Sequence, residues 1–219
     1  MRLALVLLLA LLSAPSLAQP TAQAPTATPA AAATPTPADP AGERAIRVLM
    51  VTSQGRITLE LYPDRAPRTV ANFLDYAREG FYNGTIFHRV ADNFLIQGGR
   101  YTPDFNRKPV REPIPNESGN GLSNLRGTIA AARAPSRADS ATSEFFINVV
   151  DNPRLDLRGD QADFTSGYAV FGRVVAGLDV VDRIRAVATT TRDPIGYGVP
   201  VEPVLIERVD ILDGGPISP

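Results

Sequence analysis

The chain has 219 residues, 44% of them hydrophobic, which is enough for one domain with a sizeable core but too short for two large ones. It has no cysteine and a single histidine, His88, so the sequence excludes disulfides, thiol chemistry and zinc sites built on Cys and His. The formal net charge of −1 does not indicate a basic surface for nucleic acid, and we expect no nucleic-acid partner.

The first 18 residues have the pattern of a secretory signal. Arg2 supplies a positive start, and residues 3–12 form an unbroken apolar run that is too short to span a bilayer comfortably. Ser16 and Ala18 provide small residues at the −3 and −1 positions of a cleavage point before Gln19. The alternative is an uncleaved N-terminal anchor. We expect cleavage, a periplasmic or secreted mature protein, and no membrane span after cleavage.

Residues 19–44 are predicted to form a disordered linker. They are rich in Ala, Pro and Thr and contain no large apolar side chain, so they cannot bury enough surface to offset the entropy cost of ordering. The folded domain is therefore expected to span residues 45–219.

Within that domain, apolar patterns predict eight short strands and two helices. The strands are 46–51, 56–62, 86–90, 94–97, 127–132, 144–149, 169–174 and 204–212. The helices are 68–78 and 178–186, and the longer loops are 101–125, 133–142 and 152–167. Many short strands with only two helices favour a mainly β fold, a closed β-barrel with helices over its openings.

The segment 86–99 is the most informative part of the chain. Two alternating apolar runs flank the polar turn 91–93, as in two paired strands. Simple alternation predicts that Phe87 and Arg89 share one face and that His88 lies on the other, while Leu95 and Gln97 share a face of the next strand. A guanidinium at the rim of an apolar pocket suits an apolar substrate with a carbonyl or amide group to be polarised.

This segment resembles the signature of the cyclophilins, the peptidyl-prolyl cis/trans isomerases. The matching residues run from Phe87-His88-Arg89 to Gln97-Gly98-Gly99, and three further blocks follow in family order at 126–133, 140–148 and 167–174. The resemblance covers roughly residues 46–212. It implies an eight-stranded antiparallel β-barrel capped by two α-helices, isomerase activity on proline-containing polypeptides, no cofactor and no metal. We expect a monomer.

The resemblance also implies roles for individual residues. Arg89 would be the catalytic donor to the twisted amide, and Gln97 would hydrogen-bond Arg89 and hold it in place. The alternative for Arg89 is a surface ion pair with a carboxylate. His88 has no accompanying nucleophile motif, so we expect a structural role and activity that does not change between about pH 6 and 8.

The residues implied in substrate binding are Phe94, Leu95, Ala132, Arg133, Glu144, Phe146, Leu155, Phe164 and Tyr168. The proline ring would enter a slot formed by the Phe and Leu side chains, although such residues are also common as plain core. The stretch at 132–133 would hold the substrate through backbone contacts, and Glu144 with Ala134 would line a neighbouring subsite.

Three residues depart from the best-known family members. The chain has no Trp, and Phe164 is the expected occupant of that rim position; weak cyclosporin binding at most is therefore expected. Tyr168 replaces a His of many eukaryotic members and is typical of the bacterial branch. Glu144 replaces the usual Gln, which predicts a preference for Lys or Arg beside the substrate proline and competition with the substrate for Arg89.

Two other function classes remain open at this point. A binding module or chaperone would keep the proline groove with little catalytic use, but would not need both Arg89 and Gln97. A hydrolase on a β scaffold is disfavoured because its motifs are missing.

Overall fold

The computed structural model describes residues 45–159 and 165–212. The predicted signal segment 1–18, the linker 19–44 and the expected rim residue Phe164 lie outside the described residues.

The described residues form ten strands and two α-helices. The strands are β1 Ile46–Thr52, β2 Gly55–Leu61, β3 Thr85–Ala91, β4 Leu95–Gly98, β5 Thr128–Ala131, β6 Phe145–Asn148, β7 Val170–Ala176, β8 Thr189–Arg192, β9 Gly196–Pro200 and β10 Val204–Ile211. The helices are α1 Pro67–Arg78 and α2 Leu178–Arg185, and a short 3-10 turn covers Pro153–Leu155.

Eight strands close into an antiparallel barrel in the order β1-β10-β3-β4-β6-β5-β7-β2. The apolar faces of α1 and α2 join the same buried core as the inward side chains of the strands. The predicted mainly β fold, a closed eight-stranded antiparallel barrel with two helices, is confirmed. Closure pairs every barrel strand on both sides and leaves no barrel edge open to another chain.

The predicted faces of β3 are wrong beyond His88, where Arg89 and Val90 both lie on the opposite face from the one that alternation predicts. Phe87 pairs with Gly98, but the next pair along the ladder is Arg89 with Gln97, so His88 is an extra residue, a β-bulge. Phe87 and Val90 consequently both enter the barrel core, whereas Arg89 faces outward beside Gln97. Strict alternation would have kept Arg89 on the buried face of Phe87.

A hairpin formed by β8 and β9 was not predicted. It forms a separate two-stranded sheet, and β9 packs against β3. The β8 side chains are all exposed, so this strand lacks the apolar alternation that predicts a half-buried strand.

Close contact between β9 and β3 depends on Gly198. A Cβ atom at this position would lie 2.4 Å from the Val90 carbonyl oxygen, and the residue has a φ of +80°. Gly196 has a similar φ of +90° but open space around its Cα. The two glycines therefore share one backbone requirement and differ in their neighbours.

We expect Gly198→Ala to destabilise the protein more than Gly196→Ala. Both variants incur the left-handed backbone cost of about 1–2 kcal/mol for a side chain, but only Gly198→Ala also pushes the hairpin away from β3. Urea denaturation of both variants measures the difference. Equal losses of unfolding free energy would show that the hairpin does not need this close approach.

Candidate active site

An apolar slot lies on the outer face of the barrel. Its volume is about 230 Å³, and it is lined by Arg89, Phe94, Leu95, Gln97, Ala132, Arg133, Pro135, Phe146, Leu155 and Tyr168. Of the eleven residues predicted from the sequence for the site, the slot brings together nine. Glu144 lines the adjoining cavities instead, and Phe164 is outside the described residues.

The floor of the slot is a second hydrophobic cluster, separate from the barrel core. Leu95 and Phe146 are 4% and 2% exposed, and they pack with Ala130, Ala132 and Val170. Phe146 faces this cluster, whereas its neighbour Phe145 faces the barrel core. Phe146 also meets the Tyr168 ring edge-to-face, with centroids 5.6 Å apart and planes at 76°. The walls contributed by Phe94, Leu155 and Tyr168 are only partly buried.

A buried amide network fixes the walls of the slot to the barrel. The Asn152 side-chain amide donates to the Phe94 carbonyl and to Asn148 Oδ1, both at 2.8 Å. Asn124 Nδ2 donates to the Tyr168 carbonyl at 3.2 Å and to Asp156 Oδ1 at 2.8 Å. Buried amides without partners are costly, so this network restricts the positions of the loops that carry the slot walls.

Arg89 is partly buried at the mouth of the slot, and its guanidinium carbon lies 6.0 Å from the Phe94 ring centroid. Within residues 45–159 and 165–212, its side chain makes no hydrogen bond or ion pair. The sequence alternative of an Arg89–carboxylate pair is therefore not found among the described residues. All of its guanidinium donors can reach a ligand without first breaking an internal bond.

Gln97 does not bond Arg89, contrary to the sequence prediction. Its Nε2 donates instead to Glu144 Oε2 at 2.8 Å, because Glu144 directly precedes β6 and that strand pairs with β4. The Arg89 guanidinium has no acceptor atom for the Gln97 amide N–H, whereas the Glu144 carboxylate is a charged acceptor. Gln97 and Arg89 are paired only through the backbone ladder.

Glu144 also contacts two other side chains. Arg100 Nη1 lies 3.5 Å from Oε1, and His88 Nε2 lies 3.6 Å from Oε2. The predicted competition between Glu144 and substrate for Arg89 is not supported, because Glu144 binds this other set of partners.

The cavity beside Glu144 is dominated by arginine. It has a volume of about 540 Å³, and its charged lining residues are Arg100, Arg111, Arg133, Arg137, Glu112 and Glu144. We call it the arginine cavity. Arg111 is paired with Asp75 and Glu79, and Arg100 offsets Glu144, but Arg137 has no side-chain partner among the residues that the structure describes. Ala134 also lines this cavity, as predicted for a neighbouring subsite.

The Arg133 side chain holds the slot wall together. Its Nε donates to the Gly167 carbonyl at 2.7 Å, its Nη1 donates to the Ala134 carbonyl at 3.0 Å, and its guanidinium carbon lies 4.6 Å from the Tyr168 ring centroid. These contacts join the 133–135 loop to the segment before β7.

His88, the bulge residue, is 4% exposed and packs against the Tyr101 ring, with centroids 4.6 Å apart and planes tilted by 51°. Burial, followed by the positive charges of Arg89, Arg100 and Arg107, lowers the His88 pKa to about 4. These effects outweigh the nearby Glu144 carboxylate. His88 is therefore neutral at physiological pH.

Sequence reasoning missed several residues beside the slot. Arg154 lies on the Phe94 ring, with its guanidinium carbon 4.4 Å from the centroid. The tip of the β8–β9 hairpin, Pro194–Tyr197, forms one side of another cavity with Arg89 and Tyr101. The turn of the hairpin is 193–195, and the Asp193-Pro194 pair followed by Gly196 was the available turn signal.

The sequence profile described as "Cyclophilin type peptidyl-prolyl cis-trans isomerase/CLD" matches residues 47–211. The chain belongs to the cyclophilin family. Residues 47–211 thus form a cyclophilin-type peptidyl-prolyl cis/trans isomerase domain, as the sequence motifs predicted.

Curated cyclophilins from bacteria are about half identical to this chain. Peptidyl-prolyl cis-trans isomerase B of Escherichia coli is 52% identical over 162 residues, which are 74% of this chain and 97% of the relative. Peptidyl-prolyl cis-trans isomerase A of Dickeya dadantii is 51% identical over 165 residues, covering 75% of this chain and 84% of the relative.

Solved structures support the same fold. A Cryptosporidium parvum cyclophilin-type isomerase, crystallised in the presence of the dipeptide Ala-Pro, superposes with a TM-score of 0.64 at 24% identity. The superposition covers 77% of this chain and 99% of that chain. No helix within residues 45–159 and 165–212 combines the length and apolar character needed to cross a bilayer.

The low His88 pKa makes a testable prediction about stability. The folded pKa of about 4 lies below the unfolded value of about 6.5, so the unfolded chain binds the proton more tightly. Above pH 6.5, His88 is neutral in both states and the stabilisation linked to its pKa shift is fully present. As the pH falls from 6.5 to 4, the free energy of unfolding decreases by on the order of 3 kcal/mol, because the unfolded chain takes up the proton first.

Thermal midpoints and kcat/KM measured from pH 4 to 8 test this prediction. We expect constant kcat/KM between pH 6 and 8 and a midpoint that falls below pH 6.5. His88→Gln serves as the control for carboxylates that titrate in the same range, and its midpoint should fall less. Parallel pH curves for wild type and His88→Gln would contradict a buried neutral His88.

Proposed function

We propose that this cyclophilin accelerates X–Pro bond rotation by binding the proline ring in the apolar slot while Arg89 stabilises the twisted amide. The observation that carries the proposal is a guanidinium that has no hydrogen-bond or ion-pair partner within residues 45–159 and 165–212 and lies at the mouth of an apolar slot of about 230 Å³. Free cationic donors beside partly exposed apolar walls fit a ligand that is both apolar and an acceptor.

The chemistry requires no bond to be made or broken. Amide resonance opposes rotation with a barrier of about 18–20 kcal/mol, and uncatalysed exchange takes tens of seconds or longer. A catalyst needs only to bind the twisted amide more tightly than either planar form. In the twisted amide the proline nitrogen regains its lone pair and becomes a hydrogen-bond acceptor, which it is not in the planar ground state.

The surroundings of Arg89 suit that role. Its backbone is fixed in the β3–β4 ladder, and its guanidinium carbon lies 6.0 Å from the Phe94 ring centroid. Gln97 and Glu144 hydrogen-bond each other, and in the part of the chain that the structure describes neither side chain hydrogen-bonds or pairs with the guanidinium. Donors oriented before the reaction need little reorganisation in the transition state, and such donors contribute most to electrostatic catalysis.

A proline-peptide-binding chaperone with little catalytic use is the alternative function. The exposed apolar walls support this alternative equally well, because a binder also needs a slot. The unpaired Arg89 favours catalysis, since a donor to the proline nitrogen gains strength only when the amide twists.

We expect Arg89→Ala to reduce kcat/KM on a short X–Pro peptide by about a hundred- to a thousandfold, as for other lost transition-state donors. Peptide affinity, measured by fluorescence anisotropy, should change far less. Arg154→Ala is the matched control, because Arg154 contacts the same Phe94 ring but does not line the slot. Its kcat/KM should stay within a few-fold of wild type.

The result also separates the two functions. Equal turnover in Arg89→Ala and wild type would remove the proposed mechanism. A chaperone module would show tight peptide binding with turnover that is low in wild type and unaffected by either arginine.

We propose that the arginine cavity favours an acidic substrate residue beside the proline, which replaces the sequence-based expectation of a Lys or Arg preference. Four arginines and two glutamates line the cavity, and Arg100 already offsets Glu144. An acidic side chain near Arg137 would gain a partner, whereas a cationic one would meet like charge.

The expected ratio of kcat/KM for a peptide with Glu before the proline to one with Lys is about two to five, falling with added salt. Glu144→Gln should raise the ratio, because it removes a negative charge from the cavity. Arg137→Gln should lower the ratio. An unchanged ratio in both variants would mean that neither side chain faces the substrate.

We propose that the mature protein acts on extracytoplasmic polypeptides and assists their folding. This proposal rests on the signal-like pattern of residues 1–18. Intact-mass analysis of the protein from fractionated cells tests it, and we expect a periplasmic or secreted chain that begins at Gln19. A cytoplasmic chain that retains residues 1–18 would contradict it.

A further inference from the structure

We propose that the tip of the β8–β9 hairpin is a second recognition element for the substrate and that Tyr197 is its specificity-determining residue. The tip would bind an aromatic or aliphatic side chain that flanks the proline. This inference rests on the proposed function, because it takes the slot as the place where the proline binds.

A cavity of about 340 Å³ separates the hairpin tip from the barrel. We call it the hairpin cavity. One side is Pro194–Tyr197 of the tip, and the barrel side is formed by His88, Arg89, Gln97, Tyr101 and Glu144. Arg89 and Gln97 also line the slot, so the two cavities meet at these side chains. One or two extended residues, at roughly 3.3–3.6 Å each, carry a polypeptide from one cavity into the other.

The hairpin tip is held in place from two directions. On one side β9 lies against β3 at Gly198 and Val90, and on the other the Arg192 guanidinium carbon lies 4.0 Å from the Phe105 ring centroid. Val199 is fully buried, and Val201 N donates to the Ala188 carbonyl at 2.9 Å to close the base of the hairpin. A fixed tip loses little conformational entropy when it binds a ligand.

Tyr197 is 83% exposed, the highest value among the large hydrophobic side chains that the structure describes. Single exposed apolar residues are common, so exposure alone indicates nothing. Tyr197 differs because it stands at the rim of a cavity that shares Arg89 with the slot. Tyrosine is enriched among residues that dominate binding energy, since it buries a large rigid surface and keeps its hydroxyl in water.

The lining residues also indicate how a polypeptide crosses the site. Gln97 lines all three cavities, and Glu144 lines both the arginine cavity and the hairpin cavity. The arginine cavity also shares Ala132 and Arg133 with the slot, whereas the hairpin cavity also shares Arg89. A polypeptide with its proline in the slot can therefore reach the arginine cavity past Ala132 and Arg133, and the hairpin cavity past Arg89. The two cavities would select different chemistry in the residues that flank the proline: acidic at one, aromatic or aliphatic at the other.

A scan of labelled peptides tests the proposal. Each peptide carries one proline in an Ala and Gly background, with Phe or Gly at one of the two positions before or after it. Dissociation constants are measured by fluorescence anisotropy on the full chain. At one flanking position Phe should tighten binding by about three- to tenfold over Gly. Tyr197→Ala and Tyr197→Gln should bring this ratio close to one, and Tyr197→Phe should keep it.

Val201→Ala is the matched control. Val201 is an exposed apolar residue, 56% accessible, just beyond β9, and it lines none of the three cavities. Its Phe-to-Gly ratio should equal that of wild type. Thermal midpoints of all variants should be equal, because neither side chain is part of the core.

Two outcomes would overturn the proposal: no preference for Phe at any flanking position in wild type, or the same preference in wild type and Tyr197→Ala. Failure of the proposed catalytic function is detected separately. One such result is unchanged turnover in Arg89→Ala together with a Phe-to-Gly binding ratio of one in Tyr197→Ala. In that case the mechanism at Arg89 is wrong, and the contact between the hairpin and the substrate remains supported.

Discussion

The bulge at His88 is the constraint on which the rest of the site depends. One extra residue in β3 lets Phe87 and Val90 both face the barrel core while Arg89 between them faces the slot. Without it, an outward Arg89 would require an outward Phe87, and the core would lose a large buried ring. The extra residue is itself buried, and its neutral imidazole ring packs against the Tyr101 ring. The bulge thus allows β3 to place apolar side chains in the core and Arg89 at the site within the same short strand.

The slot is built on the outside of the barrel, where a side chain is held only by its own strand and by the loops above it. The loops that carry Phe94, Leu155 and Tyr168 would otherwise be the most mobile walls. Asn124 donates to the Tyr168 carbonyl, and Asn152 donates to the Phe94 carbonyl and to Asn148 Oδ1. Arg133 adds a bond to the Gly167 carbonyl. Polar networks of this kind fix the positions of the groups that they join more than they increase the free energy of unfolding, because each hydrogen bond replaces one to water.

The sequence predicted the barrel, both helices and most of the slot residues. The spacing of apolar residues and the family motifs both depend on local structure, which a short stretch of sequence can indicate. The sequence-based predictions failed where the result depends on contacts between residues that are distant in the chain or on a break in strand alternation. Alternation assumes a period of two, so it could not detect the bulge at His88. The partner of Gln97 depends on which side chains the folded chain brings within reach, and Gln97 Nε2 donates to the Glu144 carboxylate. The exposed Thr-rich strand of the hairpin carries no burial pattern at all.

Strand β6 explains why a binding slot exists on this surface. All four of its residues, Phe-Phe-Ile-Asn, are buried, a pattern typical of a strand covered by a layer on each side. Phe145 faces the barrel core, and Phe146 faces outward, where a second layer would be expected. Here the residues that pack outside Phe146, including Phe94, Leu155 and Tyr168, lie outside the barrel strands, and they form walls that leave the slot open above Leu95 and Phe146. The slot is therefore a gap in the second layer. An apolar ring that enters this gap removes from water the apolar surface that the protein itself leaves accessible there.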